Sequence, residues 1–337
     1  MHEPTEVSTP PHCSGRERPY IIHMIVPRAL LVLGPLLVGL LFMGCEDEDV
    51  ETPDSPTRPL FESRTLVPPG SFTSGIEGPA VDARGNLYAV NYQRQGTIGV
   101  VPSEGEPGVF VDLPEGSTGN GIRFDSEGTM LVADYTGHNV LAVDPRTREV
   151  SVYAHEPRMN QPNDLAIGAD DRLYASDPSW SDSTGQLWRI DPDGSTTLLE
   201  ADMGTTNGIE VGPDNQTLYV NESVQRKVWA YDLSPDGEIS EKRLLTEFTS
   251  HGLDGMRADV GGNLYVTRHG KGTVVKVSPE GEVLREIQLQ GKTPTNITFG
   301  GDEGRQAYVT VADRQTIETF RVDRPGRSWS LRQPRER

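Results

Sequence analysis

The chain has 337 residues, a formal net charge of −19 at pH 7, 36 glycines, 26 prolines and only two cysteines. The acidic balance argues against nucleic-acid binding, because a phosphate backbone would be repelled. Both cysteines, Cys13 and Cys45, precede the strand-rich part of the sequence, which excludes a disulfide framework or a thiolate metal site there. Short segments rich in Val, Tyr and Thr alternate with Gly and Pro after residue 45, and this pattern indicates an all-β body.

A targeting segment is expected over residues 1–45. Arg28 precedes the apolar run ALLVLGPLLVGLLFM at 29–43, which is too short to span a bilayer comfortably, and Gly44 and Cys45 follow it. This order is typical of a secretory signal, with Met24 as an alternative start. Cys45 after the cleavage point resembles the bacterial lipoprotein signal, which implies lipidation of Cys45 and an exported protein anchored at the cell envelope, on its periplasmic or surface side. A plain signal peptide or a signal anchor is the alternative.

Residues 46–60 are acidic and then rich in Pro, Thr and Ser, so they are predicted to form a flexible tether to a body over 61–330. Six segments of that body share one pattern: a polar residue, an apolar run, a Gly/Asp turn and a strand-like run such as LYV. We call their first residues the slot residues, and they are Glu77, Asn120, Asn163, Asn207, Asp254 and Thr295. Their spacing of 41 to 47 residues is typical of propeller blades.

Each repeat has the pattern of a hairpin, followed by a third strand such as GQLWRID and a weaker fourth such as TTLLEA. The sequence therefore predicts an all-β fold, a six-bladed β-propeller with four-stranded blades. The last repeat ends near SWSLRQ and lacks one strand. Segment 61–67 at the N-terminal side is expected to supply that strand and close the ring. A loose β-sandwich is the alternative.

The slot residues are expected to open the six innermost strands and to meet around the propeller axis on one face. Five of them carry side-chain carboxylate or amide oxygens. Bringing these oxygens together in the mouth of a channel costs free energy unless hydrogen-bond donors or a cation bind them. Ca²⁺ takes six to eight such oxygen ligands, and the lack of His and Cys disfavours zinc. The pattern favours a divalent cation site, Ca²⁺ with Mg²⁺ or Mn²⁺ as alternatives. The competing interpretation is that these residues cap strand starts in ordinary turns.

A second set of residues follows each slot by 14 to 16 positions and is expected to form the wall above the cation. This set consists of Asn91, Asp134, Asp177, Glu222, Arg268 and Val311. Trp180 lies on the longest of the nearby loops and is predicted to shield and bind a substrate. A solvated rim with Trp180 on a surface patch is the alternative.

These residues resemble the gluconolactonase/regucalcin family, also called the senescence marker protein family. The matching motifs are IEGPA at 76–80, NGI at 207–209, LDGM at 253–256 and PTNITFGG at 294–301 followed by AYVT. The resemblance implies a propeller with one divalent metal on its axis, held by Glu77, Asn207 and Asp254, with Asn163 beside metal and substrate. The related diisopropyl fluorophosphatase propellers use a similar ring of four. Gln161 stands where the family's sugar lactonases carry an arginine, so a sugar acid lactone is a less secure substrate.

The resemblance implies hydrolysis of a small-molecule lactone or related ester, with the metal polarising the carbonyl. Asp254 is the candidate catalytic residue that takes the proton of the attacking water, and Asn120 and Asn163 would orient the substrate. His251 is either a supporting group or an ordinary loop histidine. Two alternatives stay open: a non-catalytic, lipid-anchored propeller that binds a sugar or peptide, and a phosphotriester or aryl-ester hydrolase on the same metal.

Overall fold

The computed structural model of the protein describes residues 59–332. The predicted signal segment with Met24 and Cys45, and the predicted tether up to residue 58, lie outside the described residues. Within the described part of the chain, no helix is both long and apolar enough to cross a membrane.

The body is the predicted six-bladed β-propeller, and each blade is a four-stranded antiparallel sheet. Strand β1 (Arg64–Thr65) comes first in the chain. The first blade consists of β2 (Phe72–Val81), β3 (Leu87–Tyr92), β4 (Thr97–Val101) and β5 (Gly108–Asp112). The second consists of β6 (Gly119–Phe124), β7 (Met130–Asp134), β8 (Asn139–Val143) and β9 (Val150–His155). The third consists of β10 (Leu165–Ile167), β11 (Leu173–Ser179), β12 (Thr184–Ile190) and β13 (Thr196–Met203).

The other three blades repeat this order, from the innermost strand outward along the chain. The fourth consists of β14 (Thr206–Val211), β15 (Thr217–Glu222), β16 (Lys227–Leu233) and β17 (Ile239–Glu247). The fifth consists of β18 (Met256–Ala258), β19 (Leu264–Arg268), β20 (Thr273–Val277) and β21 (Val283–Gln288). The sixth consists of β22 (Pro294–Gly300), β23 (Gln306–Val311), β24 (Thr316–Arg321) and β1, with a 3-10 turn at Asp302–Gly304 between β22 and β23.

Strand β1 closes the ring, as the sequence predicted. It pairs antiparallel with β24, with Arg64 opposite Thr319 and Thr65 opposite Glu318. The backbone N–H of Leu66 then donates to the carbonyl of Ile317 at 2.9 Å. The N-terminal segment thus covers the edge of the last blade, which would otherwise expose an unpaired row of N–H and C=O groups.

Neighbouring blades pack through six apolar clusters, one at each blade-to-blade contact. Strand β3 shows why the strands are buried on both faces: Tyr88 and Val90 pack toward the second blade, while Leu87 and Ala89 pack toward the sixth. Successive side chains of a strand point to opposite faces, so one apolar run serves two contacts. This packing fixes each innermost strand between two neighbours.

The expectation that the last blade extends to SWSLRQ is wrong, because β24 ends at Arg321 and the segment forms a short helix, α1 (Arg327–Ser330). The side chain of Arg327, 2% exposed, donates to the carbonyls of Ile167 and Gly212 at 3.0 Å each. Those carbonyls lie at the ends of the innermost strands of blades three and four. The C-terminal segment therefore crosses the propeller at the end of the axis opposite the starts of these strands.

Ring closure by β1 predicts a specific effect of truncation. A chain that begins at Pro68 should melt roughly 10 °C below a chain that begins at Pro59, because it loses the β1–β24 pairing and the buried Val67 side chain. It should also aggregate through the exposed edge of β24. Thermal unfolding with light scattering measures both effects. Equal melting temperatures for the two chains would mean that β1 contributes nothing to closure.

Candidate metal centre and active site

The slot residues lie at or near the starts of the innermost strands. Those of blades two, four and six are the second residues of β6, β14 and β22, and those of blades three and five precede β10 and β18 by two residues. Glu77 lies inside β2, where the pairing with β3 shifts register on both sides of it. Such an irregularity redirects a side chain away from the regular alternation of a strand.

Backbone contacts between neighbouring blades bring these segments together around the axis. The N–H of Gly121 donates to the carbonyl of Asn163 at 2.8 Å, and the N–H of Gly255 donates to that of Thr295 at 2.7 Å. The hydroxyl of Thr295 donates to the carbonyl of Ile76 at 2.8 Å, which links the sixth blade to the first. These contacts join the slot segments of blades two and three, five and six, and six and one.

The carboxyl groups of Glu77 and Asp254, from blades one and five, lie near enough for the charge of Glu77 to raise the pKa of Asp254. Both residues keep part of their surface open to solvent, but protein atoms surround the carboxyl groups themselves. Burial raises the pKa of Glu77 to about 7, with a smaller contribution from the negative charge of Asp164. Burial and the charge of Glu77 raise the pKa of Asp254 well above its usual range. Two such carboxyls resist simultaneous ionisation unless a cation neutralises them.

In the sixth blade the structure places Asn296, rather than Thr295, beside Glu77. The hydroxyl of Thr295 donates to the carbonyl of Ile76. The side-chain amide of Asn296 lies close enough to Glu77 to lower the pKa of that carboxyl. The Nδ2 atom of Asn296 nevertheless makes no hydrogen bond of normal geometry within the described residues. Gly255 makes room for it, since a Cβ at that position would lie 2.0 Å from the Cγ of Asn296. The sequence pattern missed Asn296 because it follows the slot position, where four of the other blades carry glycine: Gly78, Gly121, Gly208 and Gly255.

Three side-chain amide oxygens of the slot set are buried and make no hydrogen bond within the described part of the protein: Oδ1 of Asn120, Asn163 and Asn207. A buried acceptor without a donor costs about 1–3 kcal/mol. No group of three His, Cys, Asp or Glu side chains is placed to hold a metal in residues 59–332. A cation here would depend on these amide oxygens together with the two carboxylates, which is a donor set that suits Ca²⁺. The residues present therefore fit a hard divalent cation.

A buried charge network lies next to this oxygen ring. Asp164 accepts from both Nη atoms of Arg257 at 2.7 and 2.9 Å and from Arg123 at 3.3 Å. Glu210 lies 3.7 Å from Nε of Arg257 and 3.2 Å from Nη1 of Arg327. The network thus extends from the ring to the C-terminal segment. Sequence reasoning missed it, although charges inside otherwise apolar innermost strands are a signal for buried ion pairs.

The second set of residues does not line a wall above the ring; its members are buried within their own blades. Their polar side chains hold the loop that leads into the innermost strand. Asp177 accepts from the backbone N–H groups of Asn160 and Gln161 at 2.8 and 2.6 Å. Asp134 accepts likewise from Thr118 at 3.1 Å. The remaining members act on their own loops or pack in the core: Asn91 donates to Gly75, Glu222 accepts from Gly204, Arg268 donates to Ser250, and Val311 packs in an apolar cluster.

Trp180 lies at the end of β11 on the same side of blade three as the loop before Asn163, and it is 38% exposed. It lines an open groove together with Tyr135 and Gln161. His251 is exposed, and its Nδ1 lies 3.0 Å from the hydroxyl of Ser250, as expected of an ordinary loop histidine.

The family model for the SMP-30/Gluconolactonase/LRE-like region matches residues 75–313, which contain all six slot residues. The chain belongs to this family. A gluconolactonase from Zymomonas mobilis is 30% identical over 217 residues, which cover 57% of this chain and 60% of that enzyme. The diisopropyl-fluorophosphatase of Loligo vulgaris is 25% identical over 80% of this chain and 94% of its own length.

A solved structure of a gluconolactonase from Xanthomonas campestris has the same fold, with a TM-score of 0.65 and 21% identity over 79% of this chain and 99% of that one. The curated relatives include hydrolases of the gluconolactonase type. The match covers less than two thirds of the Zymomonas enzyme. The activity, the substrate and the cofactor of this family member are therefore matters for proposal.

The raised carboxyl pKa values predict how stability depends on pH when no metal is present. In EDTA the free energy of unfolding should fall by about 1–3 kcal/mol between pH 4.5 and 7, because the unfolded chain releases protons that the folded Glu77 and Asp254 retain. Asp254→Asn should flatten this loss and be more stable than the wild type at pH 8. Denaturant titrations at several pH values measure it, and a variant that loses stability as steeply as the wild type would contradict the interaction between the two carboxyls.

Proposed function

We propose that this protein is a metal-dependent hydrolase of the gluconolactonase type that opens a lactone or a related ester. One observation supports the proposal: three buried, unpartnered amide oxygens and two mutually repelling carboxyls belong to slot residues within the family match. Glu77, Asn163, Asn207 and Asp254 would hold the cation, and Ca²⁺ fits their oxygens best, with Mg²⁺ or Mn²⁺ as alternatives. When bound, such a cation supplies Lewis-acid polarisation of the substrate carbonyl.

Side chains of the protein supply charge balance, proton transfer and substrate orientation. Glu77 and Asp254 supply the two negative charges that balance a divalent cation. Asp254, which is partly exposed, accepts the proton of the attacking water through its carboxylate and later returns it to the leaving oxygen. The amides of Asn120 and Asn163 orient the substrate, with Asn120 the more open of the two to solvent. The loop that carries Asn163 is held by Asp177, so the site is rigid before substrate arrives.

The test of this role is the substitution Asp254→Asn. The control is Asp193→Asn, in the exposed turn between β12 and β13 of the third blade. Asp254→Asn should lower kcat for lactone opening at least about 100-fold, because the amide cannot accept the proton. The Asp193 variant should retain wild-type turnover. Proton release at constant pH measures both. Unimpaired turnover by Asp254→Asn would remove this residue from the mechanism, and full turnover after exhaustive EDTA treatment would exclude a metal.

A second candidate is hydrolysis of phosphotriesters or aryl esters on the same ring, favoured by the similarity to diisopropyl-fluorophosphatase over most of both chains. Assays of lactones, aryl esters and phosphotriesters, with Ca²⁺ and with EDTA, distinguish the two. Turnover of phosphotriesters alone would replace the lactonase proposal. Metal binding without turnover of any class would favour a binding module instead.

We further propose that the protein is exported and anchored by lipid on Cys45, which rests on the apolar run at 29–43 and the Gly44-Cys45 pair. Cys45→Ser expressed in a bacterium should move from the membrane fraction to the soluble fraction, while the wild-type chain takes up labelled fatty acid. Membrane association that survives Cys45→Ser would indicate a signal anchor.

A further inference from the structure

A small cavity lies on the propeller axis, between the innermost strands and the C-terminal segment. Its volume is about 30 Å³, which gives room for about one or two water molecules or one monatomic ion. The innermost strands of five blades contribute to its wall: β2, β6, β10, β18 and β22. Ser328, Leu331 and Arg332 line it from the C-terminal segment. The cavity therefore lies toward the end of the axis opposite the slot residues.

Among the described residues, the charged residues that line this cavity are all arginines: Arg123, Arg257 and Arg332. Arg123 and Arg257 are 5% and 1% exposed, so solvent does little to screen their charges. Burial lowers the pKa of Arg123 to about 10, with a smaller contribution from the charge of Arg257. Burial likewise lowers the pKa of Arg332 to about 10. These side chains therefore stay positive at neutral pH in surroundings that disfavour the charge.

The buried carboxylates of the neighbourhood are already engaged by other arginines. Asp164 accepts from Arg257 at 2.7 and 2.9 Å and from Arg123 at 3.3 Å. Glu210 lies 3.7 Å from Nε of Arg257 and accepts from Arg327 at 3.2 Å. Neither carboxylate lines the cavity. The two negative charges therefore balance two of these three arginines, and the positive surplus lies on the side of the C-terminal segment.

Arg332 adds to this surplus. The carboxylate that acts on it is Asp82, whose oxygen already accepts from the backbone N–H groups of Arg84 and Asn86 at 2.9 Å each. The Nη2 atom of Arg332 and the hydroxyl of Ser328 are buried, and within the described part of the chain neither makes a hydrogen bond. A buried donor without an acceptor is costly, and more so when it carries a charge. Two unpartnered donors thus line one cavity in which positive charge is in excess.

We infer that this cavity is a binding site for a small monovalent anion such as chloride, held by Arg332 and Ser328 beside Arg123 and Arg257. An anion accepts hydrogen bonds from the same donors as a water molecule, and in addition it offsets the buried positive charge. A bound anion would link the C-terminal segment to the innermost strands. The inference is independent of the proposed activity, because none of these residues belongs to the slot set.

The most direct test is diffraction from crystals soaked in sodium bromide, because the anomalous signal of bromide locates the anion. The wild type should show a bromide peak in the cavity between Arg332 and Ser328. Arg332→Gln should lose this peak, because it removes a donor and a charge together. The matched control is Arg324→Gln, which changes an exposed arginine of the same segment and should keep the peak. A wild-type map with water alone in the cavity at saturating bromide would overturn the inference.

Thermal unfolding tests the site in solution. Saturating chloride should raise the Tm of the wild type by roughly 5 °C relative to acetate at equal ionic strength. Arg332→Gln should lose most of this rise, and Arg324→Gln should keep it. Ser328→Ala retains every charge and tests the site even if Arg332→Gln does not fold; it should need about tenfold more chloride for the same rise. A chloride response of Arg332→Gln or Ser328→Ala equal to that of the wild type would contradict the site.

Discussion

The structure depends on one constraint: Glu77 and Asp254 come from blades one and five, and closure of the ring brings their carboxyls near enough for one charge to act on the other. In water the solvent would screen the repulsion between the two carboxylates. In the protein, burial of the carboxyl groups raises the pKa of both Glu77 and Asp254. The arrangement therefore costs free energy unless protons or a cation neutralise it. A protein that maintains such a pair beside unpartnered amide oxygens is prepared for a divalent ion.

Other parts of the fold hold this arrangement in place. Apolar clusters fix every innermost strand between two neighbours, and β1 closes the last blade. At the far end of the axis Arg327 binds the carbonyls of two blades and Glu210. The network of Glu210, Arg257 and Asp164 continues toward the ring. Because these charges are paired within the protein, the net charge beside the ring is set by the fold rather than by solvent ions.

Features that recur in every blade could be predicted from the sequence, whereas features that occur in one place could not. Glu77, Asn207 and Asp254 could be assigned because the same pattern opens every blade, so an isolated polar residue became one member of a set. Asn296 was missed because it follows the slot position, where four of the other blades carry glycine. The helix α1 was missed because SWSLR follows a strand-rich run, and the role of Arg327 depends on carbonyls that are far away in the chain. Asp177 was expected to face a ligand, but buried carboxylates also satisfy backbone N–H groups, and its spacing fits both roles.

The central claim is that oxygens from successive blades hold one hard cation on the propeller axis. Anomalous diffraction from crystals of the protein soaked in Mn²⁺ tests it most directly, since the anomalous map locates the metal without assumptions about activity. The account predicts one strong peak within coordination distance of Glu77, Asn163, Asn207 and Asp254. A map with no peak at the hub at saturating Mn²⁺, or with its strongest peak on an outer strand, would contradict it.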